Sequence, residues 1–215
     1  MITSNKVNRY MESLIPPRAE LLMRMEREAA AERIPIIQLP SIQFIRFLLT
    51  MHKPKRILEV GMAIGYSTIW LAQAAPDAHI TSIEISEEMV RRARQNFAEA
   101  GVSDRITVFH QDARDGLDGE PRFDCIFFDA AKGQYRTYFD TYVPYLVEGG
   151  LLICDNVFFR GMIAEADEDV PKSRRGMIKK LRAFNHFLAE HPALETSFVS
   201  IGDGLALCIK RREVM

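Results

Sequence analysis

The sequence predicts an α/β fold in which a doubly wound, mostly parallel sheet of seven strands is covered by helices and preceded by an N-terminal helical extension. Short apolar runs alternate with amphipathic segments from Arg56 onward, a rhythm typical of strand–helix–strand units with parallel strands. An apolar run beginning at Ile57 ends in a turn marked by Gly61 and Gly65, and a helical pattern follows at once. Acidic side chains stand at the ends of the first five predicted strands.

Residues 1–40 are predicted to form the helical extension and a strap. Apolar residues recur at helical spacing over residues 5–32, and Pro16 and Pro17 interrupt the pattern because proline cannot continue a helix. Residues 35–40 then form a short extended strap. This part of the chain could cap the sheet, cover a ligand or contact another subunit.

The α/β core is expected over residues 41–215, and the whole chain, residues 1–215, is expected to form a single domain. The predicted core helices span residues 41–52, 66–75, 86–100, 134–147 and 172–190. The predicted strands span residues 56–60, 79–84, 106–110, 123–128, 151–154, 195–201 and 205–211. The turn between the last two strands is too short for a crossover, so these strands should pair as an antiparallel hairpin. An irregular acidic loop is expected at residues 157–170.

The composition excludes several classes of protein. Apolar residues make up 47% of the chain and charged residues 27%, as in soluble globular proteins, and no apolar run approaches the roughly 18 residues that a membrane span requires. Residues 1–10 are polar and lack the apolar stretch of a signal peptide, so a cytoplasmic protein without a membrane partner is expected. Three cysteines and five histidines lack the spacing of a disulfide framework or a zinc site. A net charge of −1 means that nucleic-acid binding would need a local basic patch.

The glycine turn lets the backbone bend sharply and lets a ligand lie against the main chain. Its G-x-x-x-G spacing, set by Gly61 and Gly65, differs from the G-x-G-x-x-G of dinucleotide-binding proteins, so the ligand need not be a pyrophosphate. The turn alone fits a ligand loop and tight strand–helix packing equally well. Glu59, at the end of the strand, is expected to point into the crevice, where it would suit a cationic amine or a bound water.

Acidic residues at the carboxyl edge of successive strands predict a shared binding site, because open α/β sheets bind ligands at this edge. Glu84 follows the glycine turn at the distance, about 20 residues, where nucleoside-binding α/β proteins place a carboxylate for the ribose hydroxyls. Asp112 could meet an adenine amino group, and the small Ala113 would leave room for the ring. The alternative for Glu84 is a solvated acid near a helix start.

Asp129, Asp155 and Asn156 are oxygen donors at the ends of two neighbouring strands. Such donors suit Mg²⁺, which prefers octahedral oxygen coordination and keeps positions open for water or substrate. The alternative is that the acids cap helices and Asn156 is a turn residue. Lys132 follows closely, and near a cation in a partly dry pocket it could lose a proton and serve as a general base; otherwise it is a surface lysine.

With these motifs, the chain resembles the cation-dependent class I S-adenosylmethionine O-methyltransferases, the family of the catechol and caffeoyl-CoA enzymes. The resemblance covers roughly residues 35–211 and implies that S-adenosylmethionine and Mg²⁺ are the cofactors. The implied cofactor-binding residues are Ile37, Glu59, Gly61, Gly65, Ser67, Glu84, Asp112, Ala113 and Asp129. The implied metal ligands are Asp129, Asp155 and Asn156. Lys132 resembles the family's base, and Asp129 is the second residue with an implied catalytic role.

Within that family, the chain most closely resembles the bacterial tRNA 5-hydroxyuridine methyltransferases. The segments that carry this resemblance are residues 129–135, 155–161, 171–175, 185–187 and 202–206. The resemblance implies methylation of the 5-hydroxyl of 5-hydroxyuridine at the wobble position, with the tRNA anticodon loop as the partner, and it implies a homodimer. A small catechol or phenol remains the alternative substrate.

Basic residues in the last third of the chain are candidate RNA contacts. Lys172, Arg175, Lys179 and Arg182 recur at helical spacing and form one basic stripe, which could bind phosphates or be an ordinary solvated face. The candidate contacts are Arg160, Lys172, Arg174, Arg175 and Lys179. Three aromatic residues, Tyr66, Trp70 and Phe97, are expected to lie in the core.

Overall fold

The computed structural model describes residues 5–119 and 121–212. The helices are α1 (Asn5–Ser13), α2 (Glu20–Glu32), α3 (Leu39–His52), α4 (Tyr66–Ala74), α5 (Glu87–Glu99), α6 (Tyr135–Tyr142) and α7 (Lys172–Glu190). The strands are β1 (Arg56–Val60), β2 (His79–Glu84), β3 (Ile106–His110), β4 (Phe123–Phe128), β5 (Leu146–Asp155), β6 (Leu194–Val199) and β7 (Leu205–Lys210). In the described part of the chain, none of the helices has the length and apolarity needed to cross a bilayer.

The strands form one seven-stranded sheet in the order β3-β2-β1-β4-β5-β7-β6. The first five strands in the chain pair in parallel, whereas β7 lies between β5 and β6 and is antiparallel to both. The predicted fold class is therefore confirmed, and the predicted terminal hairpin is present. The order reverses between β1 and β4, and such a switch point is where open α/β sheets form their binding crevice.

Helices cover both faces of the sheet because side chains alternate along each strand. Ile57 of β1 belongs to one buried cluster, which also contains side chains of α2, α3, α4 and α5. Leu58 and Val60 belong to the opposite cluster, which contains side chains of α6 and α7. The three cysteines are free and buried, as their apolar surroundings in the sequence indicate.

Two predicted boundaries were wrong by five residues each, and α3 begins at Leu39, within the strap predicted at residues 35–40. The helix predicted over residues 134–147 ends at Tyr142, because Pro144 lacks the amide hydrogen that an α-helix would need there. Strand β5 begins at Leu146, before the predicted start, and pairs with Phe123 across a register shift. The loop predicted at residues 157–170 contains a short helical turn, Phe159–Ala164.

The N-terminal extension packs on the α5 side of the sheet. As predicted, the break falls at Pro16 and Pro17, between α1 and α2. Leu22 and Met25 of α2 are buried in the first cluster. Arg24 of α2 forms an ion pair with Glu99 of α5 at 2.7 Å, so both apolar and charged contacts hold α2 in place.

Candidate active site

A cavity of about 640 Å³ lies at the carboxyl ends of β1, β2 and β4, where the strand order reverses. Nine of the residues predicted from the sequence line it: Ile37, Gly61, Ser67, Glu84, Asp112, Ala113, Asp129, Lys132 and Asn156. The fold therefore brings the strap, the glycine turn and the strand-end acids together at one site. Three predicted residues do not line the cavity. Glu59 and Asp155 are buried in the protein interior, and Gly65 packs against Phe97.

The two glycines of the turn have different roles. Gly61 has a φ of +91°, and a Cβ atom there would lie 2.7 Å from the carbonyl oxygen of Asp129. Gly65 has a φ of +83°, and a Cβ atom there would collide with the ring of Phe97 on α5. Glycine is required at both positions because the backbone has a positive φ and a Cβ atom would collide with neighbouring atoms. Gly61 thus shapes the cavity wall, whereas Gly65 permits packing of α4 against α5.

Glu59 does not point into the cavity, and that prediction was wrong. Its side chain is completely buried and accepts hydrogen bonds from the hydroxyls of Ser67 (2.5 Å), Thr68 (2.5 Å) and Ser82 (2.6 Å). The alternation along β1 directs Leu58 and Val60 to the α6 side and Glu59 to the α4 side of the sheet. Glu59 therefore supports the start of α4 from beneath. Burial raises its pKa to about 7, although the three hydroxyl donors oppose this shift.

Glu59→Gln is expected to remove a pH dependence of stability. In the folded protein the pKa of Glu59 is raised from its ordinary value of 4.5 to about 7. The native state therefore binds a proton in this range that the unfolded chain has released. In the wild type, this group should reduce the free energy of unfolding by about 3 kcal/mol as pH rises from about 4.5 to 7, with no further loss above that.

The measurement is the free energy of unfolding from urea titrations at several pH values, taken as the difference between the wild type and Glu59→Gln. Because both proteins share all other titrating groups, the difference isolates Glu59. Glu87→Gln, at an exposed position in the first turn of α5, is the control. Parallel pH profiles for the wild type and Glu59→Gln would contradict the prediction.

Glu84 and Asp112 form one end of the cavity. The Glu84 carboxylate accepts the backbone N–H of Ala63 at 3.0 Å and that of Ser86 at 2.9 Å, one on each oxygen. Each oxygen can accept a further hydrogen bond, as contact with two ribose hydroxyls would require. Asp112 is ion-paired with Arg114 at 2.6 Å, and the hydrogen bonds from Arg114 lower the pKa of this carboxyl.

Several lining residues were missed by the sequence analysis. They include Ile85, Met89, Gln111, Arg114 and Tyr138. The sequence signal that could have revealed Ile85 is its position directly after Glu84, at the carboxyl end of a strand. In the structure its side chain is 64% exposed. Tyr66 is buried as predicted, but it also lines the cavity. Its hydroxyl donates a 2.6 Å hydrogen bond to Glu26 of α2.

Asp129 and Asn156 line the other end, where β4 and β5 finish side by side, and the buried Asp155 is the last residue of β5, directly before Asn156. Tyr135 fixes these strand ends because its hydroxyl lies 2.8 Å from the carbonyl oxygen of Asp155 and 3.1 Å from that of Phe128. Asn156 has a φ of +58°, a left-handed conformation that asparagine tolerates better than most residues.

Asp155 carries a buried carboxylate whose bonding is incomplete. Its side chain is 1% exposed. Its Oδ1 accepts the backbone N–H of Asn156 at 2.7 Å, while its Oδ2 has no hydrogen-bond partner in the described residues. Burial, followed by the negative charge of Asp129, raises the pKa of Asp155 well above its ordinary value. Burial also raises the pKa of Asp129, despite the neighbouring Lys132.

This donor set fits a divalent cation. The buried Asp155 carboxylate, with its unsatisfied oxygen, and the largely buried Asp129 carboxylate are stabilised when a positive charge is placed between them. Within residues 5–119 and 121–212, no group of three or more His, Cys, Asp or Glu side chains is arranged to hold a metal ion. A cation at this end would be held by Asp129, Asp155 and the amide oxygen of Asn156, a set that contains only two acids and so forms no such group.

Lys132 belongs to the cavity wall. Its Nζ donates a 3.0 Å hydrogen bond to Oδ1 of Asp129, and the two side chains are 19% and 14% exposed. The alternative of a solvated surface lysine is therefore wrong. The ammonium group is held beside the predicted metal ligands, where a substrate hydroxyl bound at this end would lie close to it.

The loop after Asn156 is strained, and the β6–β7 turn holds it in place. Phe159 and Arg160 also have positive φ values, of 41° and 56°. The backbone N–H of Phe158 donates to the carbonyl oxygen of Asp203 at 3.0 Å, and the Asp203 carboxylate accepts the N–H of Arg160. These contacts stabilise a backbone conformation that few non-glycine residues adopt, and they position Asn156 at the cavity.

The basic stripe on α7 is divided. Arg175 donates to the carbonyl oxygens of Val170 and Glu168, both at 2.9 Å, and Arg182 donates to that of Ile163 at 2.8 Å. These two arginines tie α7 to the preceding loop, so a continuous phosphate-binding stripe was the wrong interpretation. The other candidate contacts, Arg160, Lys172, Arg174 and Lys179, are exposed.

Comparisons with known proteins identify relatives of this chain in sequence and in fold. The profile of the O-methyltransferase family matches residues 13–211. A caffeoyl-CoA O-methyltransferase from Populus kitakamiensis is 32% identical, over 93% of this chain and 90% of its own length. The crystal structure of a Staphylococcus aureus protein, provisionally assigned as a caffeoyl-CoA O-methyltransferase, has a TM-score of 0.89. The two sequences are 32% identical over 96% of this chain and 100% of that one. The O-methyltransferase TomG from Streptomyces achromogenes, solved with S-adenosylmethionine, has a TM-score of 0.83 and 26% identity over 97% of both chains.

Proposed function

The chain belongs to the O-methyltransferase family and is an S-adenosylmethionine-dependent O-methyltransferase of the caffeoyl-CoA and catechol type; we propose that its substrate is 5-hydroxyuridine at the wobble position of tRNA. The product would be 5-methoxyuridine. Mg²⁺ is the proposed metal, held by Asp129, Asp155 and Asn156. The unsatisfied buried oxygen of Asp155 is the observation that supports this metal.

The proposed division of the cavity follows from its two ends. Glu84 would accept the ribose hydroxyls of S-adenosylmethionine, and Asp112 and Ala113 would border the adenine. Gly61, Ser67 and Ile37 would enclose the methionine part, with Asp129 at the boundary between cofactor and metal. Glu59 and Gly65 would act indirectly, because they fix the turn and α4 without lining the cavity.

At the acidic end, the chain would bind two vicinal oxygens of the substrate. O4 and the 5-hydroxyl of 5-hydroxyuridine have the same relation as the two oxygens of a catechol. A divalent cation held there would lower the pKa of a hydroxyl bound to it. Lys132 would act in its neutral form, after its ammonium group has released a proton to solvent, and would then accept the hydroxyl proton at Nζ. The cavity walls would hold the oxygen in line with the methyl group.

The observation that favours RNA over a small phenol is a set of exposed, unpaired cations on the loop after Asn156 and on α7. Arg160, Lys172 and Lys179 are exposed, and their side chains form no ion pair in the described residues. Such groups can neutralise phosphates. The names of the similar caffeoyl-CoA enzymes support the alternative, a small catechol or phenol.

The experiment is methyl transfer from labelled S-adenosylmethionine, with and without Mg²⁺, to tRNA from cells that lack 5-methoxyuridine, in parallel with catechol. Metal-dependent label at 5-hydroxyuridine is the expected result. Label on catechol with none on tRNA would reject the tRNA substrate and leave the family assignment intact.

A homodimer is proposed as well. Tyr10 and Leu14 near α1, and Phe47 and Met51 on α3, are large apolar side chains that are 58–65% exposed, and α1 contacts α3. Such a patch on a soluble enzyme suits a subunit contact. The mass in solution, measured by light scattering, tests this assembly.

A further inference from the structure

A second cavity, of about 320 Å³, lies between α6 and α7 and adjoins the active-site cavity. Lys132 and Gln134 line both cavities. The remaining residues that line this groove are Gly133, Arg136, Thr137, Lys180, Ala183, Phe184 and Phe187. A substrate bound beside Lys132 could therefore continue directly into the groove.

The groove combines positive charge with aromatic rings. Lys132, Arg136 and Lys180 are its charged lining residues, and the lining contains no acid. Lys180 is exposed, and its ammonium group forms no ion pair or hydrogen bond within residues 5–119 and 121–212. Its stem lies along the loop, since a Cβ atom on Gly133 would be 4.0 Å from the Cδ of Lys180.

Arg136 provides a planar surface. Its guanidinium carbon lies 3.8 Å from the centre of the Phe187 ring, a cation–π contact. The Nε of Arg136 also donates a 3.0 Å hydrogen bond to the carboxylate of Asp140 on α6, which partly balances the charge of the guanidinium. Phe187 packs at right angles against Phe139, with ring centres 4.8 Å apart. The stacked arginine is therefore held in position from both sides.

We propose that this groove binds the nucleotide adjacent to the methylated one in an RNA strand, with its phosphate at Lys180 and its base on the Arg136–Phe187 stack. Proteins that bind single-stranded RNA place phosphates on cations and bases on aromatic or guanidinium planes. A small phenol has neither a phosphate nor a neighbouring base to place in this groove. This proposal depends on the proposed RNA substrate and adds a second subsite to it.

The test uses the full-length enzyme and an anticodon stem-loop that contains 5-hydroxyuridine. Lys180→Ala is expected to raise KM for the stem-loop about 5- to 10-fold, with kcat within about twofold. Loss of one phosphate contact should also reduce the slope of log affinity against log salt concentration by about 0.7. Arg136→Ala should raise KM without that full change in slope, because its contact is with the base.

Arg91→Ala, on the exposed side of α5, is the matched control for loss of a positive charge. It lies on the opposite face of the sheet and should change neither KM nor the salt slope. Turnover of free 5-hydroxyuridine should be equal in the wild type and Lys180→Ala, since the nucleoside does not reach the groove.

The outcomes separate the two proposals. If the wild type methylates the stem-loop and Lys180→Ala has the same KM and salt slope, the groove proposal is rejected and the RNA substrate stands. A higher KM with an unchanged salt slope also rejects it, because the contact would not be to phosphate. If the wild type fails to methylate the stem-loop, both proposals are rejected.

Discussion

Asp155→Asn is expected to reduce kcat by about 10³-fold or more and, at the same time, to stabilise the metal-free protein. If Asp155 is a metal ligand, as proposed, loss of its carboxylate removes much of the charge stabilisation that a metal gives, which amounts to several kcal/mol. Without a metal, the same carboxylate is unfavourable because it is buried, has an unpartnered Oδ2 and lies near Asp129. An amide of the same shape is uncharged, so it avoids the free-energy cost of either burying the charged carboxylate or protonating it.

Thermal unfolding with and without Mg²⁺ measures this effect independently of activity. The wild type should gain about 2.7 kcal/mol when Mg²⁺ is present at 100 times its Kd. Asp155→Asn should start from a higher Tm without metal and shift little when Mg²⁺ is added. Asp118→Asn, at an exposed position, should behave as the wild type. An unchanged Mg²⁺-dependent shift in Asp155→Asn would show that Asp155 does not bind the metal.

The strand-end acids were predictable because sequence position fixes which end of a parallel strand a residue occupies. Asp129, Asp155 and Asn156 meet for that reason alone, since β4 and β5 are neighbours. Which face of the sheet a side chain takes is harder to predict. Glu59 stands at the end of β1, but its three hydroxyl partners come from α4 and β2, and that packing is not visible in a local pattern.

The contacts between distant segments were beyond sequence analysis. Arg18 and Tyr66 both bind Glu26, at 2.7 Å and 2.6 Å, and thereby connect α2 to the cavity wall. The helical spacing of residues 5–32 predicts that α2 packs on something, but not on what. Likewise, the regular spacing of Arg175 and Arg182 is compatible with an exposed stripe until the loop carbonyls that they bind are placed beside them.

Lys132→Ala is expected to lower kcat by about 10²–10⁴-fold, the usual contribution of a general base. The Kd for S-adenosylhomocysteine should change by less than about twofold, because the proposed adenosine contacts lie at Glu84 and Asp112. Single-turnover methyl transfer measures the chemical step, and calorimetry measures the binding of S-adenosylhomocysteine.

Lys132→Arg separates a base from a positive charge. Arginine keeps a cation beside Asp129, which is 3.0 Å from the lysine Nζ, but a guanidinium does not release its proton in proteins. If Lys132 is the base, the arginine variant should be nearly as slow as the alanine variant, and small primary amines should restore activity to Lys132→Ala. If Lys132 only balances the charge of Asp129, the arginine variant should retain most of the wild-type rate, and the substrate proton must then leave by another route.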